Sequence, residues 1–156
     1  MDLFVYTFHH EGNIHRALSI LDPAIVGDQG IPTDSVLGEI NALLPSMTPD
    51  QFEENAAFVT LLHQVVQQKA PLIPEYQKQV QVSGIDILPI VDLRAGKVTG
   101  EATQEDMIGQ FTVRSGRILS ESYLPNPAYK LLTDNGPLQL HPVIEIELLN
   151  QAKQCL

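Results

Sequence analysis

Ile85-Asp86-Ile87-Leu88-Pro89-Ile90-Val91-Asp92-Leu93 is the stretch where the chain changes character. Before it, apolar residues recur mostly at helical spacing. From Ile87 to Leu93 they run together as a strand, and Pro89 marks an edge or a bulge because proline cannot donate to a ladder. Turn signals then come quickly. Phe111-Thr112-Val113 and Ile118-Leu119-Ser120 flank Ser115-Gly116, and Lys130 to Thr133 and Leu138 to Leu140 flank Asp134-Asn135-Gly136. Glycine at such positions supplies positive φ without a Cβ clash, so the pattern predicts hairpins. Thr103-Gln104-Glu105-Asp106 resembles a capping box opening a single helical turn.

Upstream, Leu3 to Phe8 reads as a strand. Asn13 predicts the N-cap of a helix carrying Ala17, Leu18, Ile20 and Leu21, which Asp22-Pro23 ends. Thr33 predicts the cap of a second helix, with Val36, Leu37, Ile40, Leu43 and Leu44 on its apolar face. Thr48-Pro49-Asp50-Gln51 predicts the start of a third, running to Ala70 before Pro71. Residues 71–84 fit period 2 or 3.6, and a short helix is favoured. Pro142 to Gln154 predicts a terminal helix, although Ile144-Glu145-Ile146-Glu147-Leu148 also alternates like a strand. The expected fold is therefore α+β. An N-terminal strand and three to four helices pack on a C-terminal antiparallel meander of about four to six strands. Because 156 residues is one domain's worth, residues 1–156 are expected to form a single domain. It would comprise an α-rich part (1–82), a β-rich part (85–141) and a terminal helix (142–154).

Composition narrows the function. The net charge of −10 repels phosphate backbones and anionic lipid heads, so neither nucleic acid nor membrane is an expected partner. No stretch is long enough and apolar enough for a membrane span. The N-terminus lacks the basic start of a secretory signal. With Cys155 as its single cysteine, the chain has no internal disulfide, and the cytoplasm is the expected address.

One regularity stands out. Leu93 to Glu101 lies over Val113 to Glu121 at an offset of twenty residues, with Arg, Gly and Glu identical. Repeated hairpins would bring Arg94, Lys97, Arg114 and Arg117 to one rim, a basic patch on an acidic protein. Such a rim can receive a carboxylate or phosphate, or dock the acidic part of another subunit. Hairpin tips also carry charge simply to stay solvated. A second candidate is the cluster His9, His10, Glu11 and His15, read as a strand-to-helix turn. Imidazoles and carboxylates are zinc ligands, but adjacent His9 and His10 on a continuing strand point to opposite sides, so at most two of the three histidines share a metal. His63 falls on an apolar helical stripe, and His141 precedes Pro142; both read as structural. Asp92 and Arg94 share a face and read as an ion pair or a ligand-binding pair.

No dinucleotide fingerprint, nucleophile elbow or catalytic constellation is visible. Ala95 to Thr99 fails as a phosphate loop, because Val91 stands where its first glycine belongs. The expectation is a non-catalytic interaction or regulatory protein that partners another protein or itself. The alternatives are a metal or small-ligand site at the histidines, with enzymatic activity an open question and no cofactor implied, and an anion sensor at the basic residues.

Overall fold

A computed structural model describes residues 1–40 and 48–156. The fold is α+β. β1 (Phe4–His10) and β2 (Asn13–Ser19) form a hairpin, followed by a short helix, α1 (Pro23–Val26). β3 (Val36–Ile40) and β4 (Phe52–Glu54) complete an antiparallel sheet in the order β1-β2-β3-β4. Two helices follow, α2 (Ala56–Lys69) and α3 (Pro74–Ser83). β5 (Ile87–Val91), β6 (Met107–Arg114) and β7 (Arg117–Ile118) make a second antiparallel sheet, and β8 (Leu124–Pro125) also pairs with β6. A two-strand ribbon of β9 (Leu132–Thr133) and β10 (Gly136–Pro137) precedes α4 (Pro142–Gln154). Among the described residues, no helix is long and apolar enough to cross a membrane.

The N-terminal half departs most from the helical expectations. Residues 13–19 are a strand, because Glu11 and Gly12 both adopt positive φ (51° and 79°) and close a two-residue hairpin turn. That turn type requires two left-handed residues, and glutamate is an uncommon choice for the first. Val36 to Ile40 is likewise a strand. Gly38 belongs there because a Cβ would lie 2.1 Å from the Glu53 carbonyl of β4. Leu43 and Leu44 lie outside the described residues. Thr48 to Gln51 makes one 3-10 turn with Thr48 Oγ1 2.9 Å from Gln51, and then β4 intervenes. The helix starts only at Ala56, where Asn55 Oδ1 accepts from the Ala57 amide and its Nδ2 donates to the Thr33 and Val36 carbonyls. One side chain thus caps α2 and ties it to β3.

Elsewhere the expected elements are present. α3 and α4 are helical, and His141 caps α4 by accepting from the Val143 amide at 3.2 Å. β5 buries Leu88 and Ile90 by strict alternation. A capping box forms at Thr103, whose side chain and backbone both engage Asp106. One continuous apolar cluster joins the two sheets and the helices. It includes Leu18 and Leu37, then Phe58, Leu62 and Val66 of α2, Ile90 and Phe111, and Ile144 and Leu148 of α4.

Candidate functional site

The basic rim does not assemble as expected. β5 pairs with β6 rather than with the segment after Gly96, so residues 92–100 form a run of turns and not a hairpin. Gly96 lies against Gly100 and Glu101, whereas Gly116 lies against Val80 and Gln81 of α3. Lys97, Arg114 and Arg117 are exposed. Arg94 is fully buried, and the structure removes it from the surface set.

What Arg94 does instead is structural. Its Nε donates to Asp106 Oδ1 at 3.0 Å. One terminal nitrogen donates to the carbonyls of Leu131 and Gly136, and the other to those of Glu105 and Lys130. Its Cζ stands 5.3 Å from the centre of the Tyr129 ring. Asp92, also buried, accepts from the amides of Arg94 and Gln139 through Oδ1 and from the Tyr129 hydroxyl through Oδ2. Asp106 Oδ2 accepts from the Thr103 amide and Asn135 Nδ2, and Asn135 Oδ1 in turn accepts from the Thr99 amide and hydroxyl. Burial alone would raise the Asp106 carboxyl. Hydrogen bonds from Arg94, the Thr103 backbone and Asn135, with the Arg94 charge, outweigh it and hold the group below its ordinary value. Tyr129 is pushed well up by burial and by the Asp92 carboxylate. Among the described residues no buried side-chain polar atom lacks a partner. Each buried polar side-chain atom of this network therefore has a partner within the protein.

The histidine cluster lies on a β hairpin, not at a strand-to-helix turn. The register sets Phe8 opposite His15 and His10 opposite Asn13, so Phe8, His10 and His15 share one face and His9 lies on the other. Phe8 and His15 stack at 5.3 Å, and His15 Nδ1 is 3.8 Å from Glu39 Oε2. Glu11 occupies the turn, 3.7 Å from His10 Nε2. Among the described residues no three His, Cys, Asp or Glu side chains come together as a metal site. The set His9, His10, Glu11 and His15 is therefore divided between the two faces of the hairpin and its turn.

A groove of about 770 Å³ opens on the Phe8–His15 face of the first sheet. Its walls come from Tyr6 and Phe8 of β1, Gly38 and Glu39 of β3, Glu53 of β4 and the segment from Val26 to Thr33. Glu39 stands directly opposite Glu53 in the β3–β4 register. Like charges in that position are destabilising, by about 0.2–1 kcal/mol. Glu54 also reaches the groove, but its carboxylate accepts from the Leu131 amide at 2.7 Å and anchors the two halves of the chain to each other. This groove is the feature that sequence reading missed. The signals it offered were Gly38, which lets β4 approach closely, and glutamates at the β3–β4 positions.

A second polar pair sits between α2 and the C-terminal sheet. His63 Nδ1 and the Tyr123 hydroxyl lie 2.6 Å apart. Burial lowers the His63 value and raises that of Tyr123. Gly109 makes room for this tyrosine, since a Cβ there would lie 2.6 Å from its ring and hydroxyl.

Comparison with protein-family models, with curated proteins and with solved structures finds no match.

Proposed function

We propose that the protein is a non-catalytic interaction module of the cytoplasm whose working surface is the groove of the first sheet. The group it takes is cationic on an apolar stem, as an arginine or lysine side chain of a protein partner provides. One observation carries this reading: the Glu39–Glu53 cross-strand pair lies inside a groove that Tyr6 and Phe8 also wall. A guanidinium between the carboxylates relieves their repulsion, and aromatic faces attract the same cation. The net charge of −10 steers basic partners in and turns nucleic acid away. The free, exposed Cys155 fits a reducing compartment.

The test is calorimetric titration with a short arginine-rich peptide, with a glutamate-rich peptide as control. The arginine peptide binds, salt weakens it, and Glu39→Gln with Glu53→Gln weakens it about tenfold or more, which is at least ~1.4 kcal/mol. Undiminished binding by the double variant overturns the assignment.

A second reading rests on Arg114 and Arg117. They face each other across the β6–β7 turn, exposed and without an ion pair among the described residues. Two cations in that arrangement suit a phosphate or carboxylate. Arg117→Glu should abolish any thermal shift caused by phosphate or dicarboxylates, and an unchanged shift places the anion elsewhere.

A further inference from the structure

The two edges of the first sheet are built differently. β4 is three residues long and reads Phe-Glu-Glu, so it is short and charged. Both features protect an edge from pairing with another chain. β1 is seven residues long and reads Phe-Val-Tyr-Thr-Phe-His-His. It has no Lys, Asp, Glu or Pro, and its register against β2 runs from Phe4 to His10 without a bulge. Its sequence and register therefore carry none of the charge, proline or bulge devices that keep edges single.

The hairpin turn fixes which backbone groups lie on that edge. A two-residue turn makes His10 and Asn13 a hydrogen-bonded pair, and the alternation then makes Phe8–His15, Tyr6–Ala17 and Phe4–Ser19 the bonded pairs. The amides and carbonyls of Val5, Thr7 and His9 consequently point away from β2. Among the described residues, no other segment supplies them a backbone hydrogen bond. Val5 is 43% exposed, and Thr7 and His9 are exposed too.

We infer that β1 pairs antiparallel with β1 of a second copy about a two-fold axis at Thr7, joining two four-stranded sheets into one. The strand is self-complementary in that register. Thr7 meets Thr7 and Val5 meets His9 as the bonded pairs, so the outward groups of all three residues find partners. On the other face Tyr6 meets Phe8 of the second copy, twice by symmetry. Aromatic cross-strand pairs and threonine pairs are both favourable, and no pair in this register sets two full charges together. The axis is perpendicular to the sheet, so both grooves open on the same side of the joined sheet. The pairing does not depend on what the groove binds.

Sedimentation equilibrium over a wide concentration range tests it, with far-UV circular dichroism confirming that each variant is folded. The wild type goes from monomer to dimer as concentration rises. Thr7→Lys and Thr7→Glu each place two like charges on the axis and weaken the dimer about tenfold or more. An equimolar mixture of the two variants restores it, because among antiparallel registers only this one sets position 7 against itself. Amide exchange at Val5, Thr7 and His9 slows with rising concentration. A wild type that stays monomeric up to about 1 mM overturns the inference, as does a dimer indifferent to both variants or a mixture that fails to restore association. A monomer that still binds the arginine-rich peptide would sink this pairing and leave the groove reading standing. A dimer that ignores the peptide would do the reverse.

Discussion

Replacing Arg94 with methionine removes the guanidinium and leaves the side-chain volume nearly filled. Asp106 and Asp92 stay behind, both buried, with the Nε partner of one and the nearby charge of both gone. Four carbonyls, those of Glu105, Lys130, Leu131 and Gly136, each lose one donor at the same time, although Glu105 and Leu131 still accept from the amides of Lys130 and Leu138. Breaking a buried ion pair by removing one partner costs about 3–5 kcal/mol, because an uncompensated charge remains. Each orphaned carbonyl that water cannot reach adds about 1 kcal/mol or more. A loss of about 5 kcal/mol is therefore expected, from a total on the order of 10 kcal/mol for a chain this long. The melting temperature should fall by roughly 10–20 °C. Urea unfolding followed by circular dichroism measures the loss directly. Arg94→Lys should recover only part of it, since one ammonium cannot serve a carboxylate and four carbonyls in a fixed plane.

The pH dependence gives an independent check. In the wild type the Asp106 carboxyl sits below its ordinary value. Its contribution to stability is thus complete above the unfolded carboxylate range, near pH 4, and is lost as pH falls through the lower folded value. In Arg94→Met, burial acts with less opposition and moves the group upward. The folded preference for the charged form is thereby reduced, although the Thr103 and Asn135 hydrogen bonds remain, so the variant has less stability to lose in acid. The gap between the two proteins should be widest at neutral pH and narrow toward pH 4. A gap below about 1 kcal/mol at neutral pH, or one that widens in acid, would refute the reasoning.

Gly109→Ala drives a Cβ to within 2.6 Å of Tyr123 and 2.7 Å of the Leu124 carbonyl, and about 2–3 kcal/mol should be lost in urea unfolding. Gly38→Ala meets backbone at 2.1 Å, and exchange of the β3–β4 amides should accelerate well before global unfolding. Burial holds His63 below its ordinary value, so wild-type stability should fall as pH drops through the unfolded histidine value, about 6.5, and level off below the folded one. His63→Phe should flatten that slope in calorimetry between about pH 7 and 5. Lys97→Ala, on an exposed turn, should stay within about 0.5 kcal/mol of wild type.

Elements whose signals are local were legible in the sequence. α4 carries proline in its first turn and buries Ile144, Leu148 and Ala152 at helical spacing. β5 alternates, and the Ser115-Gly116 turn adopts positive φ at both residues. The failures lie where a long-range pairing overrode a local pattern. Ala17, Leu18, Ile20 and Leu21 are spaced as on a helix, yet Ala17 and Leu18 pair with both neighbouring strands. Val36, Leu37 and Ile40 fit a helical stripe as well, and only Gly38 hinted at close backbone contact. The groove was invisible for the same reason, since its walls come from β1, β3 and β4. The Asp92–Arg94 pairing was visible, but its burial was not. The carbonyls that receive the guanidinium include Lys130, Leu131 and Gly136, which are 36, 37 and 42 residues away.

The twenty-residue regularity shows how far turn chemistry alone can go. Leu93-Arg94-Ala95-Gly96 and Val113-Arg114-Ser115-Gly116 share residue types, and both glycines have positive φ, 74° and 72°. The two arginines nevertheless end in opposite environments. After Arg114 the chain returns at once as β7, the ladder satisfies the backbone, and the side chain is left to solvent. After Arg94 no strand returns. The carbonyls of 105, 130, 131 and 136 lie on irregular connections or short strand ends, and the guanidinium donates to all four, adding to the amide bonds that 105 and 131 already accept. A buried charge is expensive to desolvate and is tolerated only where geometry supplies every hydrogen bond. Here the irregular backbone supplies them. Regular pairing frees an arginine for the surface, and its absence draws one inside, so position relative to the sheet, and not the motif, decides which of these cations a ligand can meet.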